Sequence, residues 1–92
     1  MPLETNTYRL LARCYRELGD MDKARESIET ALKFKPYYPK INYEAALIFL
    51  KEGDKEKARE HLLRALETWK NADADFEPKT LAKEKLEAIE LS

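Results

Sequence analysis

The amino-acid sequence predicts an all-α protein in which antiparallel helix-turn-helix units stack into a short α-solenoid of five helices. The main evidence is a stretch of 14 residues that occurs twice: residues 19–32 are GDMDKARESIETAL and residues 53–66 are GDKEKAREHLLRAL. The two copies are offset by 34 residues, a period typical of helical repeats. Only two glycines and four prolines occur in the 92 residues, which leaves little material for β-turns.

Each copy opens with a glycine and an aspartate, which together predict a tight turn between two helices. Gly19 and Gly53 can adopt the left-handed conformation that ends a helix, and Asp20 and Asp54 can accept hydrogen bonds at the start of the next helix. The helices on either side of each turn are therefore expected to be antiparallel neighbours. Apolar residues that recur every three or four positions place the five helices at about residues 3–18, 21–34, 40–52, 55–70 and 78–91.

Each predicted helix has one apolar stripe, and these stripes are expected to form the core. Alanines on the second and fourth helices allow the paired backbones to approach closely. The last helix begins at Pro78, where a missing N–H costs nothing, and its charged outer surface is typical of a solenoid cap. The expected core positions are Tyr8, Leu11, Ala12, Tyr15 and Leu18; Ala24, Ile28, Ala31 and Leu32; Ile41, Ala45, Ile48 and Phe49; Ala58, Leu62, Ala65 and Leu66; and Leu81, Ala82, Leu86 and Ile89.

The two copies, taken in register, resemble the tetratricopeptide repeat, a helix-turn-helix unit of 34 residues. Asn42 and Ala45 depart from the family pattern, and Lys70 stands at the usual proline position, so we expect the fourth helix to run on or unwind there. A third repeat would need a glycine near position 87, where the chain has Glu87. The matching residues are Tyr8, Leu11, Ala12, Tyr15, Gly19, Ala24, Ile28, Ala31 and Pro36 in the first copy and Ala46, Phe49, Gly53, Ala58, Leu62 and Ala65 in the second.

This resemblance implies one domain with the form of a short right-handed α-solenoid. Repeat 1 would span about residues 5–38, repeat 2 about residues 39–72 and the capping helix about residues 78–91. The resemblance also implies a concave groove that is lined by the first helix of each repeat and binds extended or helical segments of other proteins. Carried over by position, the groove residues are Asn6, Arg9, Leu10, Arg13, Arg16, Glu17, Lys40, Tyr43, Glu44, Leu47, Leu50 and Lys51.

Three arginines of the first helix share one stripe of the expected groove. Arg9, Arg13 and Arg16 recur at helical spacing, and guanidinium groups can bind carboxylates through two parallel hydrogen bonds. One interpretation is that they recognise an acidic segment or a chain terminus. The other is that they form a solvated face, partly neutralised by Glu17 and Glu44.

A second stripe, on the third helix, is apolar. Tyr43, Leu47 and Leu50 lie on the side of that helix away from its core residues, so they predict either a hydrophobic floor for a partner or a surface covered by the fifth helix. Exposure of Tyr43 and Leu47 distinguishes the two alternatives. Trp69 and Phe76 flank the preceding loop, and we expect them to pack the fifth helix onto the fourth.

One subclass of the family holds the C-terminal carboxylate of chaperones with a clamp of lysine, asparagine and arginine residues. Two of the clamp's asparagine positions are occupied here by Arg13 and Glu44, and the third repeat that the clamp also needs is absent. Arg9 alone keeps the expected charge. We therefore predict that this chain does not bind chaperone tails.

Charge and hydropathy narrow the range of partners. The net charge of −1 argues against nucleic acids or acidic lipid surfaces as general partners. The longest apolar run, Ala45–Leu50, is far shorter than the roughly 20 residues of a membrane helix, and no signal-peptide pattern is present. We expect neither a nucleic-acid nor a membrane partner. A single cysteine, Cys14, excludes an internal disulfide and fits a reducing compartment such as the cytoplasm.

Few side chains are suited to catalysis or to binding a metal or cofactor. His61 is expected on the outer side of the fourth helix and Cys14 near the inner side of the first, so they form neither a zinc site nor a catalytic pair. Asn71, Asp73 and Asp75 alternate like the start of a calcium loop, but the required glycine and glutamate do not follow. We predict that the protein is not an enzyme and uses no cofactor or metal.

The predicted function is non-catalytic binding of other proteins through an acidic or apolar peptide segment or a helix. The alternative is a structural role, in which the chain self-associates or belongs to a longer repeat scaffold. Thr7 and Cys14 stand where the second repeat has Ile41 and Ile48 to meet its predecessor. This smaller, more polar edge favours a natural N-terminal end of the array.

Overall fold

The computed structural model describes residues 4–73 and 75–91, and this part of the chain forms five α-helices. The predicted all-α repeat fold is confirmed, and the helices differ from the predicted ones only at their ends; the predicted start at Leu3 lies outside the described residues. None of these helices combines the length and apolar character needed to cross a bilayer. They are α1 (Thr5–Leu18), α2 (Met21–Phe34), α3 (Pro39–Lys51), α4 (Lys55–Trp69) and α5 (Glu77–Leu91).

The two glycine–aspartate turns have the predicted geometry. Gly19 has a φ of 85° and Gly53 a φ of 84°, both in the left-handed region that favours glycine. The carboxylate of Asp20 accepts a hydrogen bond from the backbone N–H of Lys23 at 3.2 Å. Asp54 caps α4 in the same way. Each turn therefore ends one helix and starts the next within two residues, which makes α1 antiparallel to α2 and α3 antiparallel to α4.

The core lies between and within these helical pairs. α1 packs on α2, α2 on α3, α3 on α4 and α4 on α5. Alanines at the contacts are fully buried and allow close packing, as predicted. The buried apolar residues of the described chain are Ala12, Ala24, Ile28, Ala31, Ile41, Ala45, Ala46, Ile48, Phe49, Ala58, Leu62, Ala65, Trp69 and Ala82.

Some expected core positions are exposed, chiefly at the edges of the array. Leu18 is 80 % exposed, because the side of α1 that would face a preceding helix has no neighbour in the described chain. Leu81 is also exposed, because it points towards the cleft described below and not towards α4. Of the two outcomes expected at Lys70, the structure shows the second: α4 ends at Trp69, and the chain enters a turn at Lys70.

α5 is held on α4 by apolar and polar contacts. Ala82 is fully buried, and the rings of Trp69 and Phe76 meet edge to face with centroids 5.7 Å apart, which confirms their predicted packing role. The ammonium group of Lys79 donates to the carbonyl oxygens of Lys70 and Ala72, at 3.2 and 3.0 Å. These bonds tie the loop before α5 to the start of that helix.

A buried polar cluster was not predicted from the sequence. Asn42, at the family's large aromatic position, is fully buried, and its side-chain amide donates to the carbonyl oxygens of Pro36 and Tyr38, both at 2.9 Å. Its Oδ1 lies 2.7 Å from Nδ1 of His61, whose ring stacks on Phe49. The prediction that His61 lies on the outer side of α4 is wrong: the ring is half-buried against α3.

Candidate protein-binding cleft

A cleft of about 410 Å³ lies among α1, α3 and the start of α5. It occupies the region where the sequence predicts a groove between the first helices of the repeats. α1 and α3 contribute polar and apolar side chains at helical spacing, and the end of α4 and the first turns of α5 complete the lining. The lining residues are Arg9, Arg13, Arg16, Lys40, Tyr43, Glu44, Leu47, Trp69, Glu77, Pro78 and Leu81.

Two of the three stripe arginines keep accessible guanidinium groups. Arg9 donates from Nη2 and Nε to the side-chain oxygen of Asn6, at 2.6 and 3.1 Å. Arg13 forms an ion pair with Glu17 at 3.1 Å, and more than half of each side chain is exposed. The hydrogen bond that Arg13 donates to the Glu17 carboxylate raises the pKa of Arg13 above its ordinary value, so this arginine keeps its charge. Asn6 and Glu17, the partners of these two arginines, are both exposed.

The third arginine has a different environment. Arg16 reaches across to α3 and binds both oxygens of Glu44, with Nε–Oε2 and Nη2–Oε1 distances of 2.5 and 3.3 Å. The Glu44 side chain is only 7 % exposed and that of Arg16 20 %. In addition, Lys51 donates to the backbone carbonyl of Arg16 at 3.2 Å. The stripe predicted as one surface is therefore divided: Arg16 links α1 to α3, whereas Arg13 is exposed and the half-buried Arg9 bonds within α1 to the exposed Asn6.

The apolar part of the cleft combines α3 with α5. Tyr43 and Leu47 are half-buried and line the cleft together with Pro78 and Leu81. The fifth helix therefore neither covers these residues fully nor leaves them on an open surface, so part of each side chain remains accessible from the cleft. Burial is the main cause that raises the pKa of Tyr43, so its hydroxyl stays a neutral hydrogen-bond donor and acceptor.

Other expected groove residues lie outside the cleft lining. Leu50 is half-buried against the core, and Lys51 is at the end of α3, where it bonds to Arg16. Asn6 contributes through its bond to Arg9, and Leu10 is exposed on α1.

The sequence indicated that the fifth helix could cover Tyr43 and Leu47, but no residue of that helix was assigned to the groove, because the groove positions were carried over from the two repeats. The sequence signal for these lining residues is Pro78, which lies in the first turn of the fifth helix and follows Trp69 and Phe76. Pro78, as the first-turn residue of a helix that follows a pair of aromatic residues, points to a helix packed beside the groove. Trp69, Glu77 and Leu81 join the lining with it.

The side chains considered for chemistry do not come together. Cys14 is exposed on α1, so its predicted position near the inner side is wrong. Its side of α1 is left without a neighbouring helix in the described chain, like that of Leu18. His61 belongs to the polar cluster on the other side of α3. Among the described residues, no three His, Cys, Asp or Glu side chains are grouped in a way that could hold a metal ion.

Comparison with known families decides the classification. The family model for the tetratricopeptide repeat matches residues 6–38 and again residues 39–68. The chain belongs to the tetratricopeptide repeat family. The two matched segments contain the two glycine–aspartate turns and, apart from one residue at the start of α1 and one at the end of α4, the four helices of the repeated part, so the tetratricopeptide repeats of this chain are α1–α2 and α3–α4.

Among curated proteins, the chain is similar to anaphase-promoting complex subunit 3 of Dictyostelium discoideum. The two sequences are 47 % identical over 47 residues, which is 51 % of this chain but 5 % of that subunit. The tetratricopeptide repeat chain therefore spans a small part of the curated relative. No solved structure matches it.

Proposed function

We propose that this chain is a non-catalytic interaction module and that its cleft binds a segment of another protein. Tetratricopeptide repeats are in general protein–protein interaction modules, and the cleft supplies the finer part of the proposal. The observation that carries it is the combination, in one concave surface, of accessible guanidinium groups on Arg9 and Arg13 with the half-buried apolar side chains of Tyr43 and Leu47. Such a surface offers both charge and desolvated apolar area to a peptide.

Two ion pairs between helices near the cleft support the same proposal. The Arg16–Glu44 pair joins α1 to α3, and the carboxylate of Glu52 pairs with Arg25 to join α3 to α2. A peptide that enters a cleft with fixed walls loses its own conformational freedom but does not have to order the receptor, which favours affinity. Arg16 and Glu44 act here as positioning residues and not as contacts.

Recovery of partners from source cells tests this function. Wild-type protein is compared with the double variant Arg13→Glu, Leu81→Gln, in which one change lies on each side of the cleft. Both side chains are exposed, so the variant is expected to fold. The control carries Lys33→Glu, an exposed change on the outer helix α2. We expect a partner that is retained by the wild type and the control and lost from the double variant, and circular dichroism verifies equal helix content.

A structural role is the second candidate, and it rests on the exposed edge of α1. Leu18 and Cys14 are exposed on the side where α3 has the buried Ile48. In addition, the similar Dictyostelium protein is a subunit of a complex. Sedimentation at increasing protein concentration separates the candidates: a stable dimer that Leu18→Glu dissociates supports self-association, and a monomer at all concentrations contradicts it.

A further inference from the structure

The two sides of the cleft differ in charge. On the α1 side, Arg9 and Arg13 line the cleft, and Lys40 at the start of α3 also contributes. The α5 side contributes Pro78 and Leu81, with the carboxylate of Glu77 beside them. One side is therefore cationic, and the other is apolar with an acidic edge.

The cations on the α1 side are available to a ligand. Arg16 cannot release its carboxylate without leaving Glu44 buried and unpaired, which is strongly unfavourable. By contrast, the hydrogen-bond partner of Arg9 in the described part of the chain is the neutral amide oxygen of Asn6, and the Arg13–Glu17 pair is exposed and screened by solvent. A ligand carboxylate can therefore take over hydrogen bonds from Arg9 and Arg13 at little cost.

The α5 side disfavours a carboxylate. Glu77 is exposed at the cleft, and Glu84 is near enough to Tyr43 to contribute to the rise of the tyrosine pKa. The Glu77 carboxylate at the first turn of α5 already occupies the end of the helix that favours an anion, so it repels a second carboxylate placed beside it, and the side chains of Pro78 and Leu81 cannot donate a hydrogen bond. Apolar side chains fit this side, because Leu81 is 38 % exposed and gains burial when it is covered.

Building on the proposed function, we propose that the cleft takes a peptide segment with one acidic side and one apolar side, and that it binds this segment in a single orientation. The acidic side lies along α1 on Arg9 and Arg13, and the apolar side lies against Leu81 and Pro78. The Arg16–Glu44 pair holds the two repeats at the separation that this arrangement needs. The charge difference across the cleft, rather than its total charge, determines the specificity.

A selection from a library of random peptides tests the composition of the ligand. Peptides are selected on the wild-type protein and sequenced, and their affinities are measured on variants by fluorescence polarisation. The first variant, Arg9→Gln, Arg13→Gln, removes the accessible cations. The matched control, Lys23→Gln, Lys33→Gln, removes the same charge from two exposed positions of the outer helix α2. We expect enriched peptides to combine glutamate or aspartate with apolar residues, and to bind the first variant at least about tenfold more weakly than the control.

The orientation is tested with double-mutant cycles on one enriched peptide. Replacement of a peptide glutamate by glutamine should couple with Arg9→Gln or Arg13→Gln, so that the combined loss is smaller than the sum of the separate losses. The same peptide change should be additive with Leu81→Gln, which by itself weakens binding. Coupling of the glutamate to position 81, or to no position of the cleft, would overturn the proposed orientation.

The outcomes also separate this inference from the proposed function. Enriched peptides that lack acidic residues, bind the arginine variant like the wild type and lose affinity on Leu81→Gln would overturn the inference and leave the binding function intact. Peptides whose affinity is unchanged by both cleft variants, or a selection that enriches none, would contradict the binding function and the inference together.

Discussion

α1 and α3 are the equivalent first helices of the two repeats, yet they differ sharply in burial. α1 has one buried residue, Ala12, whereas α3 has seven. α3 packs between α2 and α4, whereas α1 packs mainly against α2. The same repeat pattern therefore gives a core helix or an edge helix according to its neighbours. The side chains of α1 remain available for recognition because few of them are needed for the core.

The largest expected effect compares equivalent positions of these two helices. Ile48→Ala removes a fully buried side chain from α3 and should lower the free energy of unfolding by about 2–5 kcal/mol. Cys14→Ala, at the equivalent position of α1, changes an exposed side chain and should alter it by less than about 0.5 kcal/mol. Urea unfolding followed by circular dichroism measures both. Similar losses in the two variants would show that α1 is as well buried as α3.

The second comparison concerns two ion pairs of α1. Glu44→Gln leaves Arg16 facing a neutral amide in a largely buried position, and we expect a loss of about 2 kcal/mol. Glu17→Gln breaks the exposed pair with Arg13 and should cost less than about 0.5 kcal/mol. Urea unfolding at low and high salt measures the difference. Salt should strongly weaken the contribution of the Arg13–Glu17 pair but not that of the Arg16–Glu44 pair. Equal losses of unfolding free energy in the two variants, or a strong salt effect on the loss in Glu44→Gln, would contradict the assignment of Arg16–Glu44 as a buried pair.

A third pair of variants should affect the stability of the two repeats equally. Gly19→Ala and Gly53→Ala each place a Cβ on a residue with positive φ, and no atom lies within 4 Å of either added Cβ. Only backbone strain is introduced, so each variant should lose about 1 kcal/mol, and the two losses should be alike. Thermal unfolding provides the measurement. A much larger loss at one glycine would reveal a contact that the two turns do not share.

The smallest expected effect is a pH dependence of the second repeat alone. Burial, followed by the charge of Arg64, lowers the pKa of His61 below 6.5; Lys57 acts in the same direction and Glu60 opposes it. The folded protein therefore binds fewer protons than the unfolded chain just below pH 6.5. The stability from this histidine is present above pH 6.5 and is lost as the pH falls towards the lowered pKa, by at most about 1.4 kcal/mol per pH unit.

The variant His61→Gln isolates this contribution from the carboxylates. Urea unfolding is measured at about pH 7.5 and about pH 5.5, and the wild type should lose more stability between the two than the variant does. Equal losses in both proteins would show that the imidazole is as readily protonated in the folded state as in the unfolded chain.

The sequence predicted the parts of the fold that depend on neighbouring residues. α2 was placed at its observed bounds, because a glycine–aspartate turn starts it and a proline follows its end. The alanines of α2 and α4 were predicted to be buried, because small residues recur at helical spacing in both copies. The glycine–aspartate turn and the alanine spacing involve residues close together in the sequence, and each of these two patterns occurs in both copies of the repeat.

What could not be predicted depends on pairs that are distant in sequence. Asn42 looked like a departure from the family pattern, but it gains a partner in His61, 19 residues away. Glu44 was expected to neutralise part of the arginine stripe, but its pairing with Arg16, 28 residues away, in a largely buried position was not predicted. In the candidate cleft, the position of Leu81 depends on how α5 packs on α4. Because α5 lies outside the two repeats, the repeat pattern does not predict which of its residues face the cleft.

The most direct test of the cleft is a nuclear magnetic resonance titration of the isotope-labelled protein with the tightest peptide from the selection. We predict that the largest changes in amide chemical shift lie in residues 9–16 of α1, residues 40–47 of α3 and residues 77–81 of α5. Leu81→Gln should reduce the changes at α5 first, because it removes the apolar contact on that side. Changes concentrated on the outer faces of α2 and α4, with the cleft residues unaffected, would contradict the account.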